Sequence, residues 1–244
     1  CCVELGGKDA LIVLDDADIE HAVNAATFGS FMHQGQICMS VERVIVHKDV
    51  ANEFIEKFVQ NTKKLKVGNP REMANCIGPI INQKQLDKIR DQVEDAVAKG
   101  AKVLCGEKHK DLFFEPTVLT NITRDMKVMR EETFGPIAPV ITAGSVDEAV
   151  AVANDSEYGL SAGIMTRNEE RGLAIARRLN TGMAHINDSS VNDEPHVPFG
   201  GARWSGLGRH GGRAGIDQFT EMRWITLERG GRHYPPPFLM NPKH

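Results

Sequence analysis

The sequence has no long hydrophobic run and no strong excess of either charge. Its longest purely apolar runs, such as residues 10–14, are far shorter than the roughly 18 residues that a membrane span needs. The formal net charge is only −4, and neither a basic stripe nor an acidic tail is present. We therefore expect no membrane and no nucleic acid among the partners, and nothing at the N-terminus resembles a signal peptide.

Cysteine and histidine are present, but not in metal-binding patterns. The five cysteines are an odd number and contain no C-x-x-C spacing, which argues against a disulfide framework and against a zinc site. The nine histidines show no ligand spacing either, so we predict no metal. Reduced thiols are typical of intracellular proteins, and we therefore expect a cytoplasmic location.

A dinucleotide-binding loop is also missing. No G-x-G-x-x-G motif follows a predicted strand, and the glycine-rich run at 206–215 follows a proline-containing loop instead. The 244 residues, of which 41% are hydrophobic and 25% charged, nevertheless suffice for one large core, with or without an appendage. Composition thus favours a compact globular protein without selecting a function.

Apolar strands alternate with amphipathic helices along the chain. This alternation predicts an α/β fold in which helices cover both faces of a mostly parallel sheet. Pro116 interrupts one predicted strand, which we expect to be irregular or at an edge. The predicted strands are 10–14, 41–47, 102–104, 113–119, 161–165 and 183–187, and the predicted helices are 17–32, one from Asp49, one after Asn82, 146–153 and 169–179.

The C-terminal part has a different character. Residues 191–215 are rich in Gly, Pro, His and Arg, and a loop of this length is normally functional or contact-making. A helical turn is predicted at 216–221 and a strand at 222–227. The tail from 230 to 244 contains three consecutive prolines and is expected to be extended.

One cysteine lies where an α/β protein places its chemistry. Cys38 belongs to a polar, glycine-containing turn between the helix at 17–32 and the strand at 41–47, with the sequence Gln34-Gly35-Gln36-Ile37-Cys38-Met39-Ser40. Such loops present side chains at strand ends on a rigid scaffold. Cys38 is therefore a candidate nucleophile.

Three ordered motifs carry a family resemblance. Glu4-Leu5-Gly6-Gly7-Lys8 lies upstream of the Cys38 turn, with 38 − 4 = 34 residues between Glu4 and Cys38, and Glu131-Glu132-Thr133-Phe134-Gly135-Pro136 lies downstream. Together they resemble the signatures of the NAD(P)-dependent aldehyde dehydrogenase superfamily, and the resemblance runs from residue 4 to about 229. Pro198-Phe199-Gly200-Gly201 is a further match, and residues 194–201 with 223–225 resemble the benzaldehyde, salicylaldehyde and vanillin dehydrogenase branch.

The resemblance implies a catalytic pair acting on a small-molecule aldehyde. Cys38 would be the nucleophile that adds to the carbonyl carbon, and its backbone N–H would form part of the oxyanion hole. Glu4 would be the general base that activates water to hydrolyse the resulting thioester to a carboxylic acid. Asn187 and Phe199 lie in segments that line the substrate tunnel in relatives.

The same resemblance implies contacts with NAD or NADP. Glu132 would accept the hydroxyls of the nicotinamide ribose, and Phe134 would pack beside the cofactor. The backbone at Leu5 would face the nicotinamide amide, and Gly6 would permit the close approach of backbone and cofactor because it has no Cβ.

Members of the family are about twice as long as this chain, and their N-terminal half carries most of the dinucleotide-binding domain. The chain starts without a methionine and reaches the first motif at residue 4, so we expect it to be the C-terminal catalytic half of a larger enzyme. The resemblance divides it into the end of the cofactor domain (1–5), the catalytic domain (6–221), and an oligomerisation strand with its tail (222–244). We expect the larger enzyme to be a homodimer or homotetramer, and this half alone to be inactive.

Two other classes of function stay open from the residues alone. A cysteine-dependent esterase or acyl-transfer enzyme would use Cys38 and Glu4 without a hydride step, and the missing phosphate loop favours it. A non-catalytic interaction domain would use neither residue. A dinucleotide site encoded upstream would favour the dehydrogenase over both.

Overall fold

A seven-stranded sheet forms the centre of the protein. The computed structural model describes residues 1–234, so most of the tail predicted to be extended, including its three prolines, lies outside the described part. The strands are β1 (Val3–Glu4), β2 (Asp9–Val13), β3 (Val41–His47), β4 (Lys102–Cys105), β5 (His109–Lys110), β6 (Phe113–Phe114), β7 (Thr117–Thr120), β8 (Ile137–Ala143), β9 (Ala162–Met165), β10 (His185–Ile186) and β11 (Gly206–Leu207). The helices are α1 (Ile19–Phe31), α2 (Lys48–Thr62), α3 (Gln83–Ala98), α4 (Lys127–Arg130), α5 (Val146–Asn154), α6 (Glu169–Ala176) and α7 (Gly212–Gln218).

The strand order of the central sheet is β10-β9-β2-β3-β8-β7-β4. Neighbouring strands are parallel except for β7 and β4, which are antiparallel. Parallel neighbours need a crossover connection, and α1 provides it between β2 and β3. The prediction of a mostly parallel α/β sheet is confirmed.

Residues of the sheet alternate between two apolar cores because successive side chains of a strand point to opposite faces. In β2, Leu11 and Val13 pack in a core with residues of α1 and α2. Ala10 and Ile12 pack in a second core with residues of α5 and α6. A strand that is buried on both faces is mostly apolar, which is why β2 reads as a continuous hydrophobic run after Asp9. Helices therefore cover both faces, as predicted.

Polar side chains set the starting points of the helices. Asp18 caps α1 by accepting a hydrogen bond from the backbone N–H of His21 at 3.1 Å. Asn82 accepts from the N–H of Gln85 at 2.9 Å and so begins α3 where the sequence predicts. Each cap satisfies one of the N–H groups that a first helical turn leaves without an intrahelical partner.

Two strands differ from the sequence prediction. Pro116 splits the predicted strand at 113–119 into β6 and β7 because proline has no N–H for a ladder, so the predicted irregularity is confirmed. The alternative edge position was wrong, since β7 pairs with β4 on one side and with β8 on the other. The sequence analysis did not predict β8 as a strand, and Pro139 within it argues against a central strand because proline has no N–H.

The strand β8 nevertheless lies in the interior of the sheet, between β3 and β7.

The C-terminal part contains short elements joined by loops. The helical turn predicted at 216–221 occurs earlier, as α7. The strand predicted at 222–227 does not form in the single chain, where Met222 and Trp224 are almost fully exposed. A strand needs a partner for its backbone groups, and none of the described strands pairs with this segment. Within residues 1–234, no helix is both long enough and apolar enough to cross a membrane.

Candidate active site

Cys38 follows a tight turn at the C-terminal end of α1. The backbone enters the left-handed region at three successive residues, with φ angles of 51° at His33, 59° at Gln34 and 67° at Gly35. Two of these are not glycine, and such conformations persist only where the surrounding structure enforces them. The turn reverses the chain and delivers Cys38 three residues before β3 begins at Val41.

Neighbouring segments hold this turn in place. The side-chain oxygen of Gln36 accepts a hydrogen bond from the backbone N–H of Ile81 at 2.9 Å. Ser190, which is fully buried, donates its hydroxyl to the carbonyl oxygen of Met39 at 2.7 Å. These two contacts bracket Cys38, so the backbone around the thiol is supported from both sides.

Glu4 is placed by a separate two-stranded sheet. β1 pairs with β11 in antiparallel fashion, and Glu4 lies opposite Gly206. The backbone N–H of Leu5 donates to the carbonyl of Ser205 at 2.9 Å, and the N–H of Gly6 donates to Glu4 Oε1 at 3.0 Å. The carboxylate itself stays exposed to solvent. The position of Glu4 therefore depends on a segment that is about 200 residues away in sequence.

Cys38 and Glu4 lie close enough for the carboxylate to act on the thiol. Burial raises the pKa of the Cys38 thiol to about 12, and the carboxylate of Glu4 contributes through its charge and a hydrogen bond. The backbone N–H of Met39 acts in the opposite direction. In this chain the thiol is therefore protonated at neutral pH, and the Glu4 carboxylate is one of the groups that act on it.

Glu132 lies beside the first motif. The backbone N–H of Gly7 donates to Glu132 Oε1 at 2.9 Å, while Oε2 makes no hydrogen bond within residues 1–234. A Cβ on Gly6 would run into this carboxylate, and Gly6 also has a φ of 91° that favours glycine. Burial raises the pKa of Glu132, and the hydrogen bond from Gly7 opposes that shift.

Phe134 and Leu5 complete the predicted cofactor set. Phe134 is half-buried and adopts a left-handed backbone with a φ of 52°. Leu5, in the first motif, exposes 60% of its surface. The free carboxylate oxygen of Glu132 can accept hydroxyl groups, and the two exposed apolar side chains can pack against a ring. The residues present thus fit the nicotinamide end of a dinucleotide.

The motifs are joined by buried charges that the sequence analysis did not single out as site residues. Lys8 is fully buried, and its ammonium group contacts Glu42 Oε2 at 2.7 Å. Arg43, also buried, donates to the carbonyl oxygen of Lys8 at 2.6 Å. Asp9 is buried as well, and its Oδ2 has no hydrogen-bond partner in the described chain. The available signal was the Glu42-Arg43 pair inside an otherwise apolar strand, because charged residues there must be paired or exposed.

Asn187 and Phe199 each make specific contacts with other segments of the chain. Asn187 has a φ of 58°, and its side-chain oxygen accepts from the backbone N–H of Thr166 at 3.0 Å. Its carbonyl oxygen bonds to the His21 ring at 2.9 Å. Phe199 forms a two-hydrogen-bond bridge with His210. Their part in binding substrate stays a prediction.

Residues 1–234 hold no cluster of three or more His, Cys, Asp or Glu side chains arranged to bind a metal ion. All five cysteines lie in this range and are free thiols.

Comparison with known proteins gives a consistent result. The family model described as "Aldehyde dehydrogenase family" matches residues 1–225. Salicylaldehyde dehydrogenase of Pseudomonas putida is 48% identical over 236 residues, which are 96% of this chain and 49% of that protein. Benzaldehyde dehydrogenase (NAD(+)) of Pseudomonas putida is 47% identical over 234 residues, which are 96% of this chain and 48% of that protein. The crystal structure of a salicylaldehyde dehydrogenase from Pseudomonas putida G7 complexed with salicylaldehyde superposes with a TM-score of 0.92 at 46% identity, covering 96% of this chain and 48% of that chain.

The chain belongs to the aldehyde dehydrogenase family. The resemblance predicted from the three motifs, including the salicylaldehyde and benzaldehyde branch, is confirmed. The chain spans about half the length of the curated relatives that it matches.

Proposed function

We propose that this chain is the catalytic half of an NAD(P)-dependent aldehyde dehydrogenase, which we call the full-length enzyme. The observation that carries the proposal is the proximity of the Cys38 thiol to the Glu4 carboxylate, which belong to two different motifs. The names of the relatives favour an aromatic aldehyde of the salicylaldehyde or benzaldehyde type as substrate.

In this proposal the thiol of Cys38, once deprotonated, adds to the carbonyl carbon of the aldehyde and forms a thiohemiacetal. The backbone N–H of Cys38 stabilises the oxyanion that develops on the carbonyl oxygen. A bound NAD or NADP supplies the acceptor for the hydride that leaves this carbon. A thioester then remains on Cys38, and Glu4 takes a proton from the water that hydrolyses it to the carboxylic acid and the free thiol.

Glu132, Phe134, Leu5 and Gly6 are the residues that we assign to cofactor binding. Glu132 has a free carboxylate oxygen for the ribose hydroxyls, and the apolar side chains of Leu5 and Phe134 are partly exposed beside it. Gly6 keeps the space that a Cβ would fill. We place Asn187 and Phe199 in the substrate tunnel on the strength of the family resemblance.

The proposal extends to the organisation of the whole protein. Residues 1–5 end the cofactor-binding domain, residues 6–221 form the catalytic domain, and residues 222–244 comprise a strand that pairs with a neighbouring subunit of a homodimer or homotetramer, followed by the tail. The exposed, unpaired segment at 222–227 supports this last assignment. The cysteine pattern, which argues against a disulfide framework, supports a cytoplasmic location. We propose that the 244-residue chain alone is inactive, since most cofactor contacts would come from the other half.

The test is Cys38→Ala in the full-length enzyme, with aldehyde-dependent NADH formation and NAD binding measured side by side. We expect NADH formation to be abolished and binding to be retained. Cys76→Ala is the matched control, because Cys76 is exposed and far from the motifs in sequence, and it should behave as the unmodified enzyme. Substantial turnover by the Cys38 variant would remove Cys38 from the mechanism. Ester hydrolysis without any aldehyde oxidation by the unmodified enzyme would favour the acyl-transfer alternative.

A further inference from the structure

A buried carboxylate links the nucleophile motif to the segment proposed to bind cofactor. Glu42 lies at the start of β3, four residues after Cys38, and only 3% of its surface is exposed. Its Oε1 accepts the backbone N–H of Phe134 at 2.8 Å. The backbone N–H of Thr133 donates to both oxygens, at 2.9 Å to Oε1 and 2.7 Å to Oε2. One side chain therefore holds two successive amides of a segment that follows it by more than 90 residues.

The counter-charge comes from the other catalytic motif. Lys8 lies four residues after Glu4, is fully buried, and places its ammonium group 2.7 Å from Glu42 Oε2. The same ammonium group contacts the hydroxyl of Thr133 at 3.2 Å. The parallel pairing of β2 with β3 sets Asp9 opposite Val41 and so brings the residues beside them together. The Glu4 motif thus contributes Lys8 to a buried ion pair, and the strand that follows the Cys38 motif contributes Glu42.

The segment 132–134 has no regular secondary structure, so side chains must satisfy its backbone. Gln85 of α3 donates to the carbonyl oxygens of Thr133 and Phe134, at 2.8 Å and 3.0 Å. Gln92, also of α3, donates to the carbonyl oxygen of Glu132 at 3.3 Å. The carbonyl groups therefore face α3 while the N–H groups of Thr133 and Phe134 face Glu42. Without Glu42, two buried amides would lose their acceptor, and the left-handed conformation of Phe134 would lose a restraint.

We propose that Glu42 is a positioning residue for cofactor binding: charge-paired to Lys8, it fixes the backbone of segment 132–134 and thereby the direction in which Glu132 and Phe134 face the cofactor. This inference rests on the proposed function for its consequence in catalysis. The structural part of the inference, the restraint of two backbone amides by one carboxylate, does not depend on the proposed function. The two parts can therefore be tested separately.

The variant that separates positioning from misfolding is the double substitution Lys8→Met/Glu42→Gln. Glu42→Gln alone would leave the ammonium of Lys8 buried without its counter-charge, which is strongly destabilising in itself. The double variant removes both charges and keeps both shapes. Asp95→Asn is the matched control, because Asp95 also accepts a backbone N–H, that of Lys127 at 2.8 Å, and also pairs with a lysine.

The first measurement is hydrogen–deuterium exchange of the 244-residue chain. We expect exchange in the 132–134 segment to be faster by about tenfold or more in the double variant, because two charge-assisted hydrogen bonds are weakened. The control should accelerate exchange only near Lys127. If the double variant is folded and segment 132–134 exchanges at the unmodified rate, the restraint that we propose does not exist.

The second measurement uses the full-length enzyme and compares two activities. We expect the KM for NAD(P) to rise about tenfold in the double variant, while hydrolysis of 4-nitrophenyl acetate, which needs Cys38 but no cofactor, stays within about twofold. An unchanged KM would overturn the proposal. A parallel loss of ester hydrolysis would also overturn it, since Glu42 would then support the Cys38 turn. Failure of the proposed function itself would be recognised independently, by aldehyde oxidation that survives Cys38→Ala.

Discussion

The carboxylate of Glu4 lies close enough to the thiol of Cys38 to act on it, and burial together with this carboxylate raises the pKa of the thiol to about 12. A thiolate is the reactive species, so the pair keeps the nucleophile protonated until a base or a ligand changes its surroundings. Two roles for Glu4 follow from this arrangement. It can receive the proton of the thiol, or it can activate the water that later hydrolyses a thioester.

The first prediction concerns the reactivity of Cys38 in the 244-residue chain. Alkylation by iodoacetamide should rise about tenfold per pH unit between about pH 7 and 11, since the thiolate fraction grows up to a pKa of about 12. Glu4→Gln removes a neighbouring negative charge, lowers the pKa of Cys38, and should make alkylation severalfold faster at about pH 8. Peptide mass spectrometry resolves the individual cysteines. Cys105 is the internal control, because burial is the main reason that its pKa is raised and Glu4 does not contribute. Slower alkylation of Cys38 in the variant would mean that Glu4 activates the thiol.

The second prediction concerns Glu4 during turnover of the full-length enzyme. Glu4→Gln should leave a rapid first formation of NADH and slow the steady state by about 10²–10⁴-fold, because only hydrolysis requires water to be deprotonated. Stopped-flow absorbance separates the two phases. Glu131→Gln is the control, since Glu131 is an exposed carboxylate next to the cofactor segment. Loss of the burst itself would assign Glu4 to the acylation step.

The third prediction concerns the buried carboxyl group of Asp9. Burial raises the pKa of Asp9 well above its usual value, and a backbone hydrogen bond from Ser161 only partly opposes the shift. A carboxyl group whose pKa is higher when folded stabilises the protein below its unfolded pKa of about 3.9, and this contribution is lost as pH rises through the folded pKa. Asp9→Asn stays neutral, so its free energy of unfolding relative to the unmodified chain should increase from about pH 4 to 8. Urea denaturation at several pH values measures this difference.

For Asp95→Asn, we expect the difference in free energy of unfolding from the unmodified chain to change with pH in the opposite direction. A hydrogen bond from the backbone N–H of Lys127 lowers the pKa of Asp95, with a further contribution from Lys99. The stabilisation by ionised Asp95 is therefore present above about pH 4 and is lost as pH falls through the lowered folded pKa. As pH rises, the free energy of unfolding relative to the unmodified chain should therefore increase for Asp9→Asn and decrease for Asp95→Asn. If the difference in free energy of unfolding between Asp9→Asn and the unmodified chain did not change with pH, Asp9 would be ionised in the folded chain.

The fourth prediction concerns Gly6 and Gly100, which share a left-handed backbone but have different surroundings. The φ angles are 91° and 99°, so alanine is strained at either position by about 1 kcal/mol or more. A Cβ at Gly6 would collide with the Glu132 carboxylate, whereas a Cβ at Gly100 would meet nothing within 4 Å. Both variants should lose similar stability, but only Gly6→Ala should raise the KM for NAD(P) of the full-length enzyme, by about tenfold. Equal KM values for the two variants would remove Gly6 and Glu132 from the cofactor site.

The fifth prediction concerns the chain by itself. Glu132 and Phe134 offer only a ribose contact and a packing surface, so isothermal titration of the 244 residues with NAD should detect no micromolar binding. The exposed side chains of Trp204, Leu207 and Trp224 should cause self-association, which light scattering measures. Micromolar binding would show a more complete cofactor site than we infer. A clean monomer at high concentration would show that these apolar surfaces are covered.

The catalytic motifs were predictable because their order and spacing survive in the linear sequence. The 34-residue interval between Glu4 and Cys38 contains β2 and α1, and the parallel pairing of β2 with β3, which begins just after Cys38, brings the two residues near each other. Hydrophobic pattern and capping residues likewise predicted β3 and the start of α3. These features depend on local sequence or on a short crossover.

The buried ion pair and strand β8 were less accessible to sequence reasoning. The sequence places Glu42 within an otherwise mostly apolar strand, which indicates a paired charge, but only the three-dimensional fold reveals that its partner is Lys8. β8 contains Pro139, whose missing N–H weighs against a central strand. The segment at 222–227 has the alternation of a strand but no partner in the described chain, and pattern alone cannot supply a partner.

The pairing of β1 with β11 has a consequence for how the site is made during translation. Glu4 leaves the ribosome long before its strand partner Gly206, which lies 206 − 4 = 202 residues later. At about 5–20 residues per second, synthesis of that interval takes roughly 10–40 s. Cys38 and the central strands can fold meanwhile, whereas the base cannot be fixed beside the thiol until the C-terminal loop has emerged. The nascent chain therefore carries an incomplete catalytic pair throughout the synthesis of this interval.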